Sequence, residues 1–83
     1  MHTYIAFTGK LRHMGGFAQC LSWGRQMVAS NHTRICKIAK ARKGVKQARL
    51  VAEITRSETR FLSSGRIVKL SQIMRRTNAQ ETN

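Results

Sequence analysis

The sequence predicts a mainly α fold: a small helical protein with extended basic segments and, at its N-terminus, room for a short strand. Three observations predict it. Apolar residues recur at helical spacing along much of the chain, proline is absent, and cations crowd the polar arc of the longest periodic segment. Without proline no residue removes a donor from a helical ladder. With 83 residues the chain makes one small domain at most, with a marginal core.

Residues 2–8 (HTYIAFT) carry Tyr4, Ile5 and Phe7 and read as a short strand. Gly9, Gly15 and Gly16 punctuate the next stretch, so residues 1–16 are expected to be extended or looped. Residues 17–30 place Phe17, Cys20, Leu21, Met27 and Val28 on one face of a helix. Gly24 weakens that helix by about 1 kcal/mol relative to Ala. Ser30, Asn31 and Thr33 are competent to end it.

Residues 33–62 give the strongest helical signal. Ile38, Ala41, Val45, Ala48 and Ala52 recur at alternating steps of three and four, which places them in a narrow arc. Gly44 is a candidate break in this long basic helix. Ser63, Ser64 and Gly65 mark a turn, after which Ile67, Leu70, Ile73 and Met74 fit a short helix over residues 64–76 with Ser64 as its cap. A strand over residues 66–70 is the alternative, because short apolar runs are ambiguous. The polar residues 77–83 are expected to fray.

Sixteen Lys and Arg against three acids give a formal net charge of +13, and nothing acidic precedes Glu53. A compact chain so charged repels itself. A phosphate backbone removes the repulsion, and counterion release makes the binding strong. Much of the order is therefore expected to come from the partner. The cations of residues 34–49, namely Arg34, Lys37, Lys40, Arg42, Lys43, Lys46 and Arg49, stand without an acid among them. On a helix they would repel one another at i and i+4. They are the first candidate nucleic-acid ligands; the second group is Arg56, Arg60, Arg66, Lys69, Arg75 and Arg76, of which Arg66, Lys69, Arg75 and Arg76 are the candidates, because Glu53 and Glu58 offer local pairing within the set. Lys10, Arg12 and Arg25 are interleaved with His13, Phe17 and Trp23, a mixture able to stack on unpaired bases, although Trp23 also suits a core.

Catalysis and metal binding are not expected. The chain has no Asp, and Glu53, Glu58 and Glu81 make no evident acid–base pair. His13, Cys20, His32 and Cys36 lack the close pairs that structural zinc sites supply. The two cysteines are expected to be buried thiols, and no cofactor or small-molecule substrate is implied.

Two segments, YIAFTGKL at residues 4–11 and KQARLVAEI at residues 46–54, resemble in part a family of bacterial-type small-subunit ribosomal proteins. That family carries an aromatic–Ile–x3–Gly–Lys–aliphatic segment and then a basic helix ending near Gln–Ala–Arg. The resemblance covers less than a quarter of the chain. The spacing between the pieces is longer here, and the Arg-Arg and Thr-Gly found after the first piece in the family are missing. It implies a ribosomal setting and transfers no residue roles.

The expected function is therefore structural: an RNA-binding component of a ribosome or similar ribonucleoprotein, with rRNA or other structured RNA and neighbouring proteins of a large complex as partners. A mitochondrial or plastid ribosome fits the basic, acid-free first half, and the cytoplasm is the alternative. Since the sequence starts at Met1, an organellar protein is expected to retain its signal or to be made in the organelle. Two other classes compete. Residues 51–76 can be read as the helix–turn–helix of a small DNA-binding regulator. A basic amphipathic helix would suit a subunit of a membrane-associated complex.

Overall fold

The computed structural model describes residues 2–42, 44–63 and 65–73. Among the described residues six strands and one helix run in the order β1 (His2–Phe7), β2 (Arg12–Gly15), α1 (Phe17–Ala29), β3 (Ile35–Arg42), β4 (Gln47–Thr55), β5 (Thr59–Phe61) and β6 (Ile67–Lys69). All strands pair antiparallel in the order β2-β1-β3-β4-β5. β5 pairs with β4 at Ala52–Ile54, and β6 pairs with the other end of β4, at Gln47–Arg49. The two short strands therefore lie end to end along one edge of the sheet.

The mainly α expectation is wrong. The protein is an antiparallel sheet with one helix packed on it. The predicted long basic helix over residues 33–62 is instead β3, a turn, β4 and β5. A helix there would bury only a thin Ala stripe and hold seven like charges around one cylinder. Two strands bury apolar side chains on both faces and spread the charge between them. The loop expected between Gly9 and Gly16 contains β2, and the stretch expected as a helix over residues 64–76 holds β6, as the strand alternative over residues 66–70 has it, followed among the described residues by a helical turn at residues 70–73. Ser64 and residues 74–83, the expected cap and frayed tail among them, lie outside the described residues.

Local chemistry accounts for the turns. The Thr8 hydroxyl accepts from the amides of Lys10 and Leu11 at 3.1 and 2.9 Å, closing the β1–β2 hairpin. Gly44 has φ +84°, a left-handed conformation that glycine adopts without a Cβ clash, where the chain turns from β3 into β4. α1 ends in a Schellman motif: the amides of His32 and Asn31 donate to Met27 and Val28, with Asn31 in the left-handed region at φ 63°.

The core is split in two. Under α1, on one face of the sheet, lie Ala6, Cys20, Val28, Cys36, Ile38, Ala52 and Ile54. On the opposite face, toward the other end of the strands, lie Ile5, Ala39, Ala41, Ala48 and Leu50, closed by Ile73. Adjacent residues Ile38 and Ala39 serve different cores, as the pleat requires. In β4 the switch needs a bulge. Ala39 pairs with Leu50 and Ile38 with Ala52, leaving Val51 as the extra residue. Gly24 lets α1 sit close on the sheet: a Cβ there would meet Ile54 Cδ1 at 2.6 Å and Cys36 Sγ at 3.1 Å.

Candidate nucleic-acid interface

The pleat sorts the cations by face. Even-numbered residues of β3 point toward the α1 side, as Cys36 and Ile38 do, so Lys40 and Arg42 share that side. Beyond the bulge, Arg49 of β4 pairs with Lys40 and stands on the same face. Lys69 of β6 pairs with Gln47, two residues from Arg49, and joins them. One row across the sheet reads Tyr4, Lys40, Arg49 and Ile67. Strands lie about 4.8 Å apart, and same-face neighbours along a strand are about 7 Å apart. The four cations therefore share a small patch.

Helix α1 does not cover it. Phe17, the first residue of α1, contacts Tyr4 at a centroid separation of 5.0 Å and Phe61 at 6.2 Å, and the helix runs away from there toward the opposite end of the sheet. Arg42, Arg49 and Lys69 are exposed and Lys40 is half-buried. This half-face, which no helix or strand among the described residues covers, is a cationic shelf. The two acids among the described residues lie elsewhere: Glu53 points to the other face, opposite Lys37, and Glu58 sits before β5 and pairs with Arg60 at 3.2 Å. Arg49 Nη1 donates to the Gly65 carbonyl at 3.3 Å, which orients one guanidinium and leaves its remaining donors available.

The structure thus gathers Lys40, Arg42, Arg49 and Lys69 out of the sequence-predicted set and disperses the rest. Lys37 is on the opposite face, between Phe7 and Glu53 in register. Lys46 is exposed next to the β3–β4 turn and lines a groove with Ile5, Met14, Val45 and Leu70 that opens on the opposite face and that Arg42 and Lys69 also border at the strand ends. Arg34 lies at the far end of the sheet beside Arg56. Arg66 is exposed just before β6, and its carbonyl accepts from the Leu50 amide at 2.9 Å. Lys43, Arg75 and Arg76 lie outside the described residues.

The third predicted group splits as well. His13 stacks on Trp23 at 5.6 Å and 15°, and Trp23 packs against the first core, so that indole is part of the fold. Arg25 Nε donates to Thr59 Oγ1 at 3.4 Å. Sequence reasoning misses Phe61, which is 60% exposed on the shelf side of β5, beside the row of cations. The sequence signal for it is the TRF triplet before a Ser-Ser-Gly turn, a pattern hidden inside the supposed long helix.

Cys20 and Cys36 are free and buried in the first core. Burial pushes the Cys20 thiol up from its ordinary value, and it pushes Cys36 up to about 11. Both are therefore protonated and unreactive at neutral pH. Among the described residues no three His, Cys, Asp or Glu side chains gather as metal ligands. Residues 51–63 and 65–69, within the stretch that could be read as a helix–turn–helix, are mostly strand and turn, and no described helix is long and apolar enough to cross a membrane. No family model, curated protein or solved structure matches the chain.

Proposed function

We propose that the protein is a non-enzymatic RNA-binding component of a ribonucleoprotein, with a ribosome the particle that its composition fits best. RNA lies across the cationic shelf, and its phosphates engage Lys40, Arg42, Arg49 and Lys69. The observation that carries this reading is the convergence of four cations from three strands on one half-face that, among the described residues, has neither a covering element nor an acid beside them. A surface that only confers solvation mixes signs, as the opposite face does with Lys37, Glu53 and Arg60 in one row. Unopposed cations at such spacing repel one another until an anion chain lies among them. Phosphate contacts of this kind position an RNA without reading its sequence.

Replacing Lys40, Arg42, Arg49 and Lys69 by Gln should lower RNA affinity and flatten the slope of log K against log salt by about three units, at about 0.7 per contact with a single strand. A variant with Gln at Lys10, Arg25, Arg34 and Arg56 loses the same formal charge from exposed sites away from the shelf and should keep most of the slope. Equal slopes for the two variants would count against the shelf. Co-sedimentation of the wild type with ribosomal subunits tests the particle, and duplex DNA as competitor tests the DNA-binding class.

A further inference from the structure

We infer that RNA reaches the shelf as a single strand, with an unpaired base stacked on Phe61. This rests on the phosphate-binding reading above and adds the conformation of the ligand. Phe61 pairs with Ala52, whose side chain lies in the first core, so the ring projects on the α1 side of the sheet. Phe17 supports it from within at 6.2 Å with the rings tilted by 53°, and Tyr4 stands behind Phe17 at 5.0 Å. The ring is held by packing on its inner side and is 60% exposed.

Its neighbours along the same edge matter. β6 continues the line of β5 along β4, and Ile67, 50% exposed, pairs with Arg49. Phe61, Ile67 and Lys69 therefore stand along one edge of the shelf, with Arg49 beside Ile67 on the neighbouring strand, so apolar and cationic side chains lie next to one another there. A single strand offers partners for both kinds of side chain, because base faces and phosphates are both accessible on it. A duplex presents phosphates and sugars outside and keeps its bases stacked within. Its deep, narrow major groove does not admit side chains, let alone a broad sheet face. Against a duplex, Phe61 and Ile67 would be buried among phosphates with nothing apolar to meet. Charge disfavours a second copy of the chain as the occupant, since each copy carries +13 and no acid among the described residues lies in the patch.

The test compares an unstructured labelled RNA with an RNA duplex of the same length by fluorescence anisotropy, using the full chain. Wild type should prefer the single strand. Phe61→Ala should weaken single-strand binding roughly 5- to 150-fold, the equivalent of about 1–3 kcal/mol for one stacked base, with the salt slope and the duplex affinity unchanged. Phe61→Leu should also lose binding, because an aliphatic side chain has no π face, and Phe61→Trp should restore it. Far-UV circular dichroism checks that each variant keeps the fold. Equal wild-type affinity for both RNAs, or unchanged single-strand binding by Phe61→Ala, overturns the stacking inference. The phosphate-binding reading stands or falls separately, on the salt slope of the four-cation variant.

Discussion

Gly65 is a residue whose absent side chain sets the geometry of the shelf. It is buried, and a Cβ there would collide with the Leu50 carbonyl oxygen. The close approach lets the β5–β6 connection lie against β4, where Arg66 accepts from the Leu50 amide and Gly65 accepts from Arg49. Gly65→Ala should cost about 1–3 kcal/mol, the range for overpacking a tight site, measurable as a lower urea midpoint. Because β6 carries Lys69 and Ile67, the same change should weaken RNA binding. A variant of unchanged stability would mean that the backbones separate without cost. Gly24 teaches a related lesson: its helical penalty is readable in the sequence, whereas its reason, the closeness of Ile54 and Cys36, exists only in the fold.

Strands rather than residues decide which cations act together. Lys37 and Lys40 both belong to β3, yet they face opposite sides. Lys40→Gln should reduce the salt slope by about 0.7, one single-strand phosphate contact, and Lys37→Gln should leave it unchanged. Equal reductions would show that RNA wraps both faces. The same strands decide how much is legible in the sequence. The apolar spacing at Phe17, Cys20, Leu21 and Val28 points to a helix where α1 stands, and Tyr4, Ile5 and Phe7 to a strand where β1 stands. β3 and β4 defeat the reading because each is a central strand with a core on both faces, so no single alternation survives. They are also rich in Ala, Lys and Arg, and Ala and Lys are poor strand formers. Every cation of the shelf stands out in the sequence, but on a helix they cannot be separated from Lys37 and Arg34. Phe61 stays invisible because its exposure depends on β5 lying at an edge.

At the scale of the molecule, two forces oppose each other. The core is small: Ile5, Ile38, Ile54, Cys20 and Cys36 are its largest fully buried side chains, and five alanines fill much of the rest. Against it stands the repulsion of a +13 chain. Salt screens that repulsion, with a Debye length of about 10 Å at 0.1 M. The melting temperature of the free protein should therefore rise between low and moderate salt, while RNA affinity falls over the same interval. A melting temperature that is flat or falls with salt would mean that the charges are already balanced within the fold. Bound RNA should raise the melting temperature most at low salt, where both effects are largest.

The extra residue in β4 gives the chain a shift of phase. Ala48, Leu50, Ala52 and Ile54 keep a regular two-residue beat in the sequence, yet the first two serve one core and the last two the other. Val51 supplies the half-beat that moves the chain from one side to the other. Removing it would leave Ala41–Ala48, Lys40–Arg49, Ala39–Leu50, Ile38–Ala52, Lys37–Glu53 and Cys36–Ile54 as an unbroken ladder, each partner still on its present side. Removing Lys40 from β3, where no spare residue stands, would turn Ala41 and Arg42 over and drive a guanidinium toward a core. Within one hairpin, the tolerance of the chain to losing a residue thus depends on which of two facing strands gives it up.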